Sequence, residues 1–130
     1  MKILGIGVDI IKNKRIKDAI KNTKFKDRVY SISELKQSAL SKNKTNFYSK
    51  RFAAKEAFVK AMGTGFRDKL NFKDIEIINN KMGKPYFKKN RKIDKIIKNR
   101  FKVKKFTCFL SISDEKGYST AFAIIQSVWK

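Results

Sequence analysis

The sequence predicts an α+β fold, with a single domain spanning residues 1–130. A chain of this length fits one domain and is long enough to bury a substantial core. Helical periodicities cluster in the first half of the chain, whereas β-branched and aromatic segments separated by turn signals cluster in the second half. This segregation favours an antiparallel sheet packed with helices over a wound parallel sheet. The predicted order is β-α-α-α-β-β-α-β-β.

The first half is predicted to begin with a strand that leads into helices. Residues 2–11 are rich in β-branched side chains, which indicates a buried strand. Apolar residues at helical spacing predict a short helix over 12–22. Ser31 and Glu34 have the spacing of a capping box, so another helix should follow through Leu40.

The third predicted helix carries the most informative residues of the chain. Thr45 or Asn46 is the predicted N-cap, and Gly63 is the predicted C-terminal cap. The spacing of its apolar residues predicts an amphipathic helix. These residues are Phe52, Ala53, Ala57, Phe58 and Ala61.

The second half is predicted to hold two antiparallel strand pairs and one helix. Turn residues separate the strands of each pair, and isoleucines at helical spacing mark the helix. The predicted elements are strands over 72–78 and 85–88 around a turn at 81–84, a helix over 91–100, and strands over 106–113 and 118–128.

Composition excludes several kinds of chemistry. The chain has no histidine, which excludes Ser-His-Asp and Cys-His catalysis and imidazole metal ligands. Its single cysteine, Cys108, excludes an internal disulfide and suits a reducing cytoplasm. Cys108 lies in an apolar run, so it is predicted to be a buried small side chain rather than a nucleophile. No apolar stretch approaches the roughly 18 residues that span a bilayer, so no membrane association is expected.

The net charge of +22, from 33 basic and 11 acidic residues, has two interpretations. Abundant Lys, Asn, Ile and Phe are the composition expected from an AT-rich genome. A basic surface also suits an acidic or phosphorylated partner, which includes nucleic acid, an anionic nucleotide and an acidic protein. Charge alone does not choose among these partners.

Asp9 and Glu56 are the candidate metal ligands. Glu56 lies beside the apolar stripe of the third helix, and Asp9 lies near the end of the apolar first segment. Two carboxylates brought together could hold a divalent cation, which is how a basic protein handles phosphate chemistry. Other interpretations stay open: Glu56 could form a surface ion pair with Lys60, and Asp9 could cap the next helix. Lys55 and Lys60 are also expected on any solvated helix face.

Neither glycine pair is predicted to form a phosphate-binding loop. Gly5 and Gly7 lie inside the strand, where they indicate a bulge or the close approach of another backbone. Gly63 and Gly65 follow a helix and so face the negative end of its dipole, which does not favour anions.

Taken in order, these segments resemble holo-[acyl-carrier-protein] synthase, the small bacterial type of 4′-phosphopantetheinyl transferase. The resemblance extends over nearly the whole chain, and its first strand and its signature helix are the most specific parts. The matching segments are 5–10, 25–28, 33–35, 51–65, 72–77, 83–86, 110–113 and 118–125.

The resemblance implies transfer of the phosphopantetheine arm of coenzyme A to a serine of apo acyl carrier protein. It implies that Asp9 and Glu56 bind Mg²⁺ and take part in catalysis with Lys60, which stabilises the phosphate or the departing oxygen. Glu56 or a metal-bound water would take the serine proton. The resemblance also implies a homotrimer with active sites between subunits.

The resemblance assigns further residues to the cofactor and to the carrier protein. Glycines would leave the cofactor's path open, and basic helices would face the acidic carrier. The implied cofactor contacts are Lys60, Gly63, Gly65, Lys42, Lys44 and, from a neighbouring chain, Pro85, and the implied docking residues are Lys14, Arg15 and Arg28.

One departure from the family concerns Asp114, which stands where family members commonly have a histidine that helps to hold the cofactor's phosphate. An aspartate would repel phosphate unless it were turned away or paired with a lysine. Lys12 and Lys14 replace an acidic residue often seen after the first aspartate, which makes the docking helix more basic.

Two alternatives to an active transferase follow from these features. A basic RNA- or ribosome-binding module would show aromatic side chains interleaved with Lys and Arg on an exposed surface. Phe52, Phe58 and Phe109 are instead predicted to face the core, so no nucleic-acid partner is expected. An inactive relative that still trimerises is the other alternative, and Asp114 is the argument for it.

Overall fold

The computed structural model describes residues 1–66 and 70–128. These residues form an α+β fold with antiparallel strands, as predicted, and with one more helix than predicted. The helices are Asn13–Ala19 (α1), Thr23–Val29 (α2), Ile32–Ser38 (α3), Lys44–Met62 (α4) and Arg91–Phe101 (α5), and the strands are Lys2–Lys12 (β1), Ile77–Asn79 (β2), Pro85–Phe87 (β3), Phe106–Glu115 (β4) and Tyr118–Ser127 (β5).

The strands form two antiparallel sheets. The larger sheet has the order β1-β5-β4, and β2 pairs with β3 in a separate hairpin. Helix α4 packs across one face of the larger sheet, against β1 and β5. The predicted closing pair is confirmed, although β4 runs on to Glu115 and leaves a tighter turn at residues 116–117.

The helical region before α3 contains two helices where one was predicted. Helix α1 ends at Ala19, and α2 begins after Asn22, whose side-chain oxygen accepts hydrogen bonds from the backbone N–H groups of Lys24 and Phe25. The sequence did carry a signal for α2, because Asn22 is a strong N-cap and Phe25 and Val29 have helical spacing.

The capping-box prediction is confirmed, and the predicted N-cap of the next helix is wrong. Ser31 Oγ accepts a hydrogen bond from the backbone N–H of Glu34, and Glu34 Oε1 accepts one from the backbone N–H of Ser31. Helix α4 is capped by Asn43 rather than by Thr45 or Asn46, since Asn43 Oδ1 accepts from the N–H of Asn46 at 3.0 Å.

Residues 72–78 do not form the continuous strand that was predicted. Phe72–Asp74 is a single 3₁₀ turn, and β2 begins only at Ile77. Two contacts hold this shape: Asp74 Oδ2 accepts from the backbone N–H of Asn71 at 2.8 Å, and the ammonium of Lys55 donates to the carbonyl oxygens of Phe72 at 2.8 Å and of Ile75 at 2.6 Å. Carbonyls that face this buried charge are not available to a neighbouring strand.

Helix α4 is buried nearly all round, so the prediction of an amphipathic surface helix is wrong. Both Ala53 and Phe58 are buried, as predicted, but Lys55, which was expected in solvent, is buried completely. The helix ends at Gly63, whose φ of 74° is left-handed, which confirms the predicted C-terminal cap. Within the described residues, no helix is both long enough and apolar enough to cross a bilayer.

The predicted close approach at the strand glycines is confirmed. A Cβ atom at Gly5 would collide with the carbonyl oxygen of Ala61, and one at Gly7 would collide with that of Ala57. The strand register also shifts between Ile3 and Gly5, where β1 pairs with β5. Small residues on both elements therefore let the backbone of α4 lie directly on β1.

The outer face of the larger sheet is apolar and exposed, whereas β1 was predicted to be buried. Alternate residues of β1 face away from α4, and Ile6, Val8 and Ile10 are 57%, 56% and 66% exposed. Phe109 on β4 and Phe122 on β5 belong to the same exposed face. The prediction that Phe109 faces the core is therefore wrong.

Candidate active site

Because α4 packs directly on β1, Asp9 and Lys60 are in contact. Asp9 Oδ1 accepts a hydrogen bond from Lys60 Nζ at 3.0 Å, and the same ammonium donates to the carbonyl oxygen of Val8 at 3.1 Å. The hydroxyl of Thr120 on β5 donates to the backbone carbonyl of Asp9 at 2.8 Å. The N-cap of α1 is Lys12, so the interpretation of Asp9 as a helix cap is wrong.

Glu56 lies beside this pair, one helical turn before Lys60. Partial burial raises the pKa of the Glu56 carboxyl, and the negative charge of Asp9 raises it further. Lys60 and Arg15 act in the opposite direction on the pKa of Glu56, but more weakly. Among residues 1–66 and 70–128, no group donates a hydrogen bond to the side-chain carboxylate of Glu56, and Lys60 forms its ion pair with Asp9 instead. The interpretation of Glu56 and Lys60 as a surface ion pair is therefore wrong.

The two carboxylates suit a Mg²⁺ ion. Like charges held close together at a partly buried position cost free energy, which a divalent cation between them would relieve. Magnesium commonly takes only one or two protein carboxylates and completes its octahedron with water and phosphate oxygens. No cluster of three or more potential metal ligands occurs in the described part of the chain, so Asp9 and Glu56 are the donor set available here.

Removal of the Glu56 charge is expected to stabilise the metal-free protein. Because the folded-state pKa of Glu56 is raised, its ionisation is less favourable in the folded protein than in the unfolded chain. Its favourable contribution is present below the unfolded pKa of about 4.3 and is lost as pH rises through the folded pKa. Denaturant titrations in EDTA should therefore give Glu56→Gln a higher free energy of unfolding than wild type at pH 8, with the gap closing at pH 4. A lower stability at pH 8 would contradict this reading.

Arg15 connects the carboxylates to a basic groove. It is close enough to Glu56 to lower the pKa of that carboxyl, and it lines a shallow groove of about 570 Å³ between α1 and α2. Arg28 lines the same groove, whereas Lys14 is exposed on α1 outside it. Two of the three predicted docking residues thus line one groove, and one of them, Arg15, is near Glu56, a proximity that the sequence did not reveal.

The structure separates the remaining predicted cofactor residues within one protomer. Gly63 and Gly65 follow Lys60 closely, and a side chain added at Gly65 would meet open space. Lys44 is exposed at the start of α4, and its backbone lies about 18 Å along the helix from Glu56. Pro85 belongs to the separate hairpin. The cofactor contacts of these residues stay predictions.

Asp114 is neutralised locally. Asn46 Nδ2 donates to Asp114 Oδ2 at 2.9 Å, and Lys50 Nζ lies 3.9 Å from Asp114 Oδ1. The aspartate therefore bridges β4 to the first two turns of α4 and has a lysine beside it. Asp114 is therefore paired with a lysine, which is the condition under which an aspartate at this position would not repel phosphate.

Comparisons with known proteins identify the family. A family model described as "4'-phosphopantetheinyl transferase superfamily" matches residues 5–123. A "Holo-[acyl-carrier-protein] synthase" from Pelagibacter ubique is 61% identical over 126 residues, which cover 97% of this chain and 98% of the relative. The chain belongs to the holo-[acyl-carrier-protein] synthase family. The resemblance drawn from the sequence, and the prediction of a phosphopantetheinyl transferase, are confirmed.

Solved structures of the synthase family share the fold. The crystal structure of the Neisseria meningitidis synthase has a TM-score of 0.85 and 35% identity, with 96% of this chain and 99% of that chain covered. The synthase from Bacillus anthracis, crystallised "in complex with CoA (3',5'-ADP)", has a TM-score of 0.81 and 33% identity, with 98% and 100% covered.

The buried ion pair between Lys55 and Glu34 was not predicted from the sequence of this synthase-family chain. Lys55 Nζ lies 2.8 Å from Glu34 Oε1, and both side chains are 0% exposed. The second oxygen of Glu34 accepts from the backbone N–H of Ile77 at 3.0 Å. Through this pair, α4 holds both α3 and the start of the hairpin. The sequence around Lys55 carries no signal that this side chain is buried, so only the packing reveals the ion pair.

Cys108 is not part of the synthase site. Burial raises the pKa of its thiol to about 12, which leaves little thiolate at neutral pH. Its side chain is half-buried rather than fully buried as predicted. The prediction that it is not a nucleophile agrees with the raised pKa.

Proposed function

We propose that this chain transfers the 4′-phosphopantetheine group of coenzyme A to a serine of apo acyl carrier protein and releases adenosine 3′,5′-bisphosphate. Residues 1–130 would act as one catalytic domain in the cytoplasm, a compartment that suits a chain with a single cysteine. The observation that carries the proposal is the meeting of Asp9 and Glu56 across β1 and α4, with Lys60 and Arg15 beside them. Relatives of known structure bind coenzyme A.

The carboxylates of Asp9 and Glu56 and the ammonium of Lys60 would have different roles in the reaction. Asp9 and Glu56 would hold Mg²⁺, which when bound supplies positive charge against the pyrophosphate oxygens. Lys60 is 52% exposed and can reach from Asp9 towards a phosphate oxygen or towards the departing oxygen. The raised pKa of Glu56 makes its carboxylate a better acceptor for the serine proton, directly or through a water beside it.

The remaining cofactor contacts follow from the family positions. Gly65 has open space beside it, which would leave room for the pantetheine arm. Gly63 and Lys60 would line the same path. Lys44, at the Asp114 end of α4, would meet the 3′-phosphate, and Pro85 would reach the cofactor from a neighbouring protomer.

The groove between α1 and α2 is the proposed docking surface for the carrier protein. Arg15 and Arg28 line it, and Lys14 adds charge on the exposed side of α1. An acidic carrier would be steered there by charge and would be seated next to Glu56, because Arg15 adjoins both features. This continuity supports a docked arrangement in which a serine of the carrier reaches the carboxylate pair.

We expect the exposed outer sheet face to be buried in a homotrimer. A contiguous apolar face of this kind on a soluble chain marks an interface. Val8→Asp should convert the trimer to monomers and lower activity, because a charge at the centre of an apolar interface is not compensated. Ile32→Asp changes an exposed apolar residue on α3 and should stay trimeric. Light scattering after gel filtration separates the two outcomes, and a trimeric Val8→Asp would refute the interface.

The direct test of function is the mass of the carrier protein. Incubation of the protein with coenzyme A, Mg²⁺ and apo acyl carrier protein should add one phosphopantetheine mass to the carrier. EDTA should abolish the gain, and substitution of the carrier's acceptor serine by alanine should prevent it. A carrier that stays unmodified at high enzyme concentration, with folded enzyme and Mg²⁺ present, would overturn the proposal.

A further inference from the structure

A second cavity lies far from the carboxylate pair. Its volume is about 800 Å³, and it is enclosed by the β2–β3 hairpin, α5 and the Phe106 end of β4. Asp9 on β1 and Ile112 on β4 lie in the same row across the sheet, because both residues pair with Ala121 on β5. Four to six residues of β4, about 13–20 Å, therefore separate the cavity-lining residues Cys108 and Phe106 from the level of Asp9. None of the residues assigned above to the metal, the cofactor or the carrier protein lines this cavity.

The cavity has the size and the lining of a ligand site. Its volume falls within the range of about 300–1,000 Å³ that is typical of small-molecule pockets. Phe58 and Phe87 form part of its wall, with ring centroids 5.1 Å apart. The apolar lining is otherwise contributed by Ile75, Ile78, Ile93, Phe106, Cys108 and Val128.

The mouth of the cavity is positively charged. Its lining includes five lysines and only two carboxylates. Lys88 lies 3.9 Å from Glu76 and Lys98 lies 2.9 Å from Asp94, so both carboxylates already have a cation. Among the described residues, the other three lysines have no carboxylate partner. These lysines are Lys89, Lys104 and Lys105.

One of the unpaired lysines acts on the interior of the cavity. Lys89 lowers the pKa of the Cys108 thiol, against the larger opposite effect of burial, so its ammonium lies near an interior side chain. A cation at the mouth and an apolar interior behind it are complementary to a molecule with one anionic end and one hydrocarbon end.

We propose that this cavity binds a single-chain fatty carboxylate. The hydrocarbon chain lies along the accessible apolar lining at Ile78, Phe87 and Phe106. The carboxylate stays at the mouth with Lys89, Lys104 and Lys105. Three unpaired cations favour an anionic head over a neutral or cationic one. An acidic peptide fits less well, because its backbone N–H and C=O groups would need partners that an apolar interior does not provide.

Chain length and head charge test the proposal by calorimetry. Dodecanoate should bind, and each methylene removed should weaken binding by about fourfold, so that octanoate binds about 250-fold less tightly. Dodecyltrimethylammonium has a chain of the same length with a cationic head, and it should not bind. An acidic peptide should not compete. Equal affinity for dodecanoate and octanoate, or for both head charges, would overturn the proposal.

Paired variants separate this cavity from the general basicity of the chain. Lys104→Glu/Lys105→Glu reverses two charges at the mouth and should weaken dodecanoate binding at least tenfold. Lys36→Glu/Lys73→Glu changes the net charge equally at exposed positions outside the cavity and should leave binding unchanged. Equal losses in both variants would show nonspecific ion pairing and would refute the site.

Cys108 reports the position of the ligand. It is the single cysteine of the chain and it lines the cavity, so the N-ethylmaleimide adduct on the Cys108 peptide, quantified by mass spectrometry after long incubation at pH 7.5, reads this site alone. Dodecanoate should slow alkylation severalfold in the wild type and in Lys36→Glu/Lys73→Glu, but not in Lys104→Glu/Lys105→Glu. Unchanged alkylation under saturating dodecanoate would place the ligand elsewhere and would overturn the proposal.

Discussion

Glu56→Gln is expected to lower the rate of phosphopantetheine transfer by about 1,000-fold, because loss of metal-based charge stabilisation costs several kcal/mol in the transition state. The amide keeps the size of the side chain and removes its charge. Of the two described carboxylates at the site, Asp9 would then remain, and Lys60 already binds it at 3.0 Å. The measurement is the initial rate of carrier mass gain at several Mg²⁺ concentrations.

Asp94→Asn is the matched control for that loss. It makes the same carboxylate-to-amide change on α5, where Asp94 forms a partly exposed ion pair with Lys98. Its rate should stay within a factor of two of wild type, since such a helix pair contributes only about 0.3–0.5 kcal/mol to stability. Glu56→Gln should keep or increase folding stability while activity is lost. A Glu56→Gln enzyme of near-normal rate would remove Glu56 from the mechanism.

Lys55→Met is expected to destabilise the protein by about 3–5 kcal/mol, the usual result of breaking a buried ion pair from one side. The substitution leaves the Glu34 carboxylate buried without its cation and leaves the carbonyls of Phe72 and Ile75 without a donor. Equilibrium unfolding in urea at pH 7.5 measures the loss. A change below 1 kcal/mol would mean that the interior adapts to the unpaired carboxylate.

Lys98→Met provides the comparison for the buried pair. Lys98 and Asp94 are 2.9 Å apart, almost the same distance as Lys55 and Glu34, but their side chains are 43% and 47% exposed. The loss should be at most a few tenths of a kcal/mol. Adding Glu34→Gln to Lys55→Met removes the stranded charge and should recover part of the stability. The contrast measures burial together with the two carbonyl hydrogen bonds of Lys55, since the distances within the two ion pairs almost match.

Consecutive residues of α4 serve opposite sides of the molecule. The side chain of Lys55 faces α3 and the hairpin, and that of Glu56 faces β1 and α1. The buried pair stabilises the helix position, and the Glu56 charge opposes stability while it prepares the site for a cation. A helix anchored on one side can therefore hold an electrostatically unfavourable carboxylate on the other.

Much of the fold was predictable because it depends on local signals. The Ser31–Glu34 capping box, the left-handed Gly63 and the closing strand pair act over a few residues, and each was identified correctly. The failed boundaries have two causes. The N-caps at Asn22 and Asn43 are local signals that the prediction did not use. The turn at Phe72–Asp74 also involves a distant partner, because Lys55, seventeen residues before Phe72, donates to its carbonyl oxygen.

The sequence alone determined the family and the identity of the candidate ligands, because strand glycines, helix alanines and acidic residues at fixed spacing form a recognisable pattern. Only the tertiary structure decided how charges are paired. It assigned Lys60 to Asp9, Lys50 to Asp114, Lys55 to Glu34 and Arg15 to the neighbourhood of Glu56. The physical reason is that the residue type alone does not show whether a lysine lies in solvent or in the core. Its partner is fixed by packing between segments that are far apart in the chain.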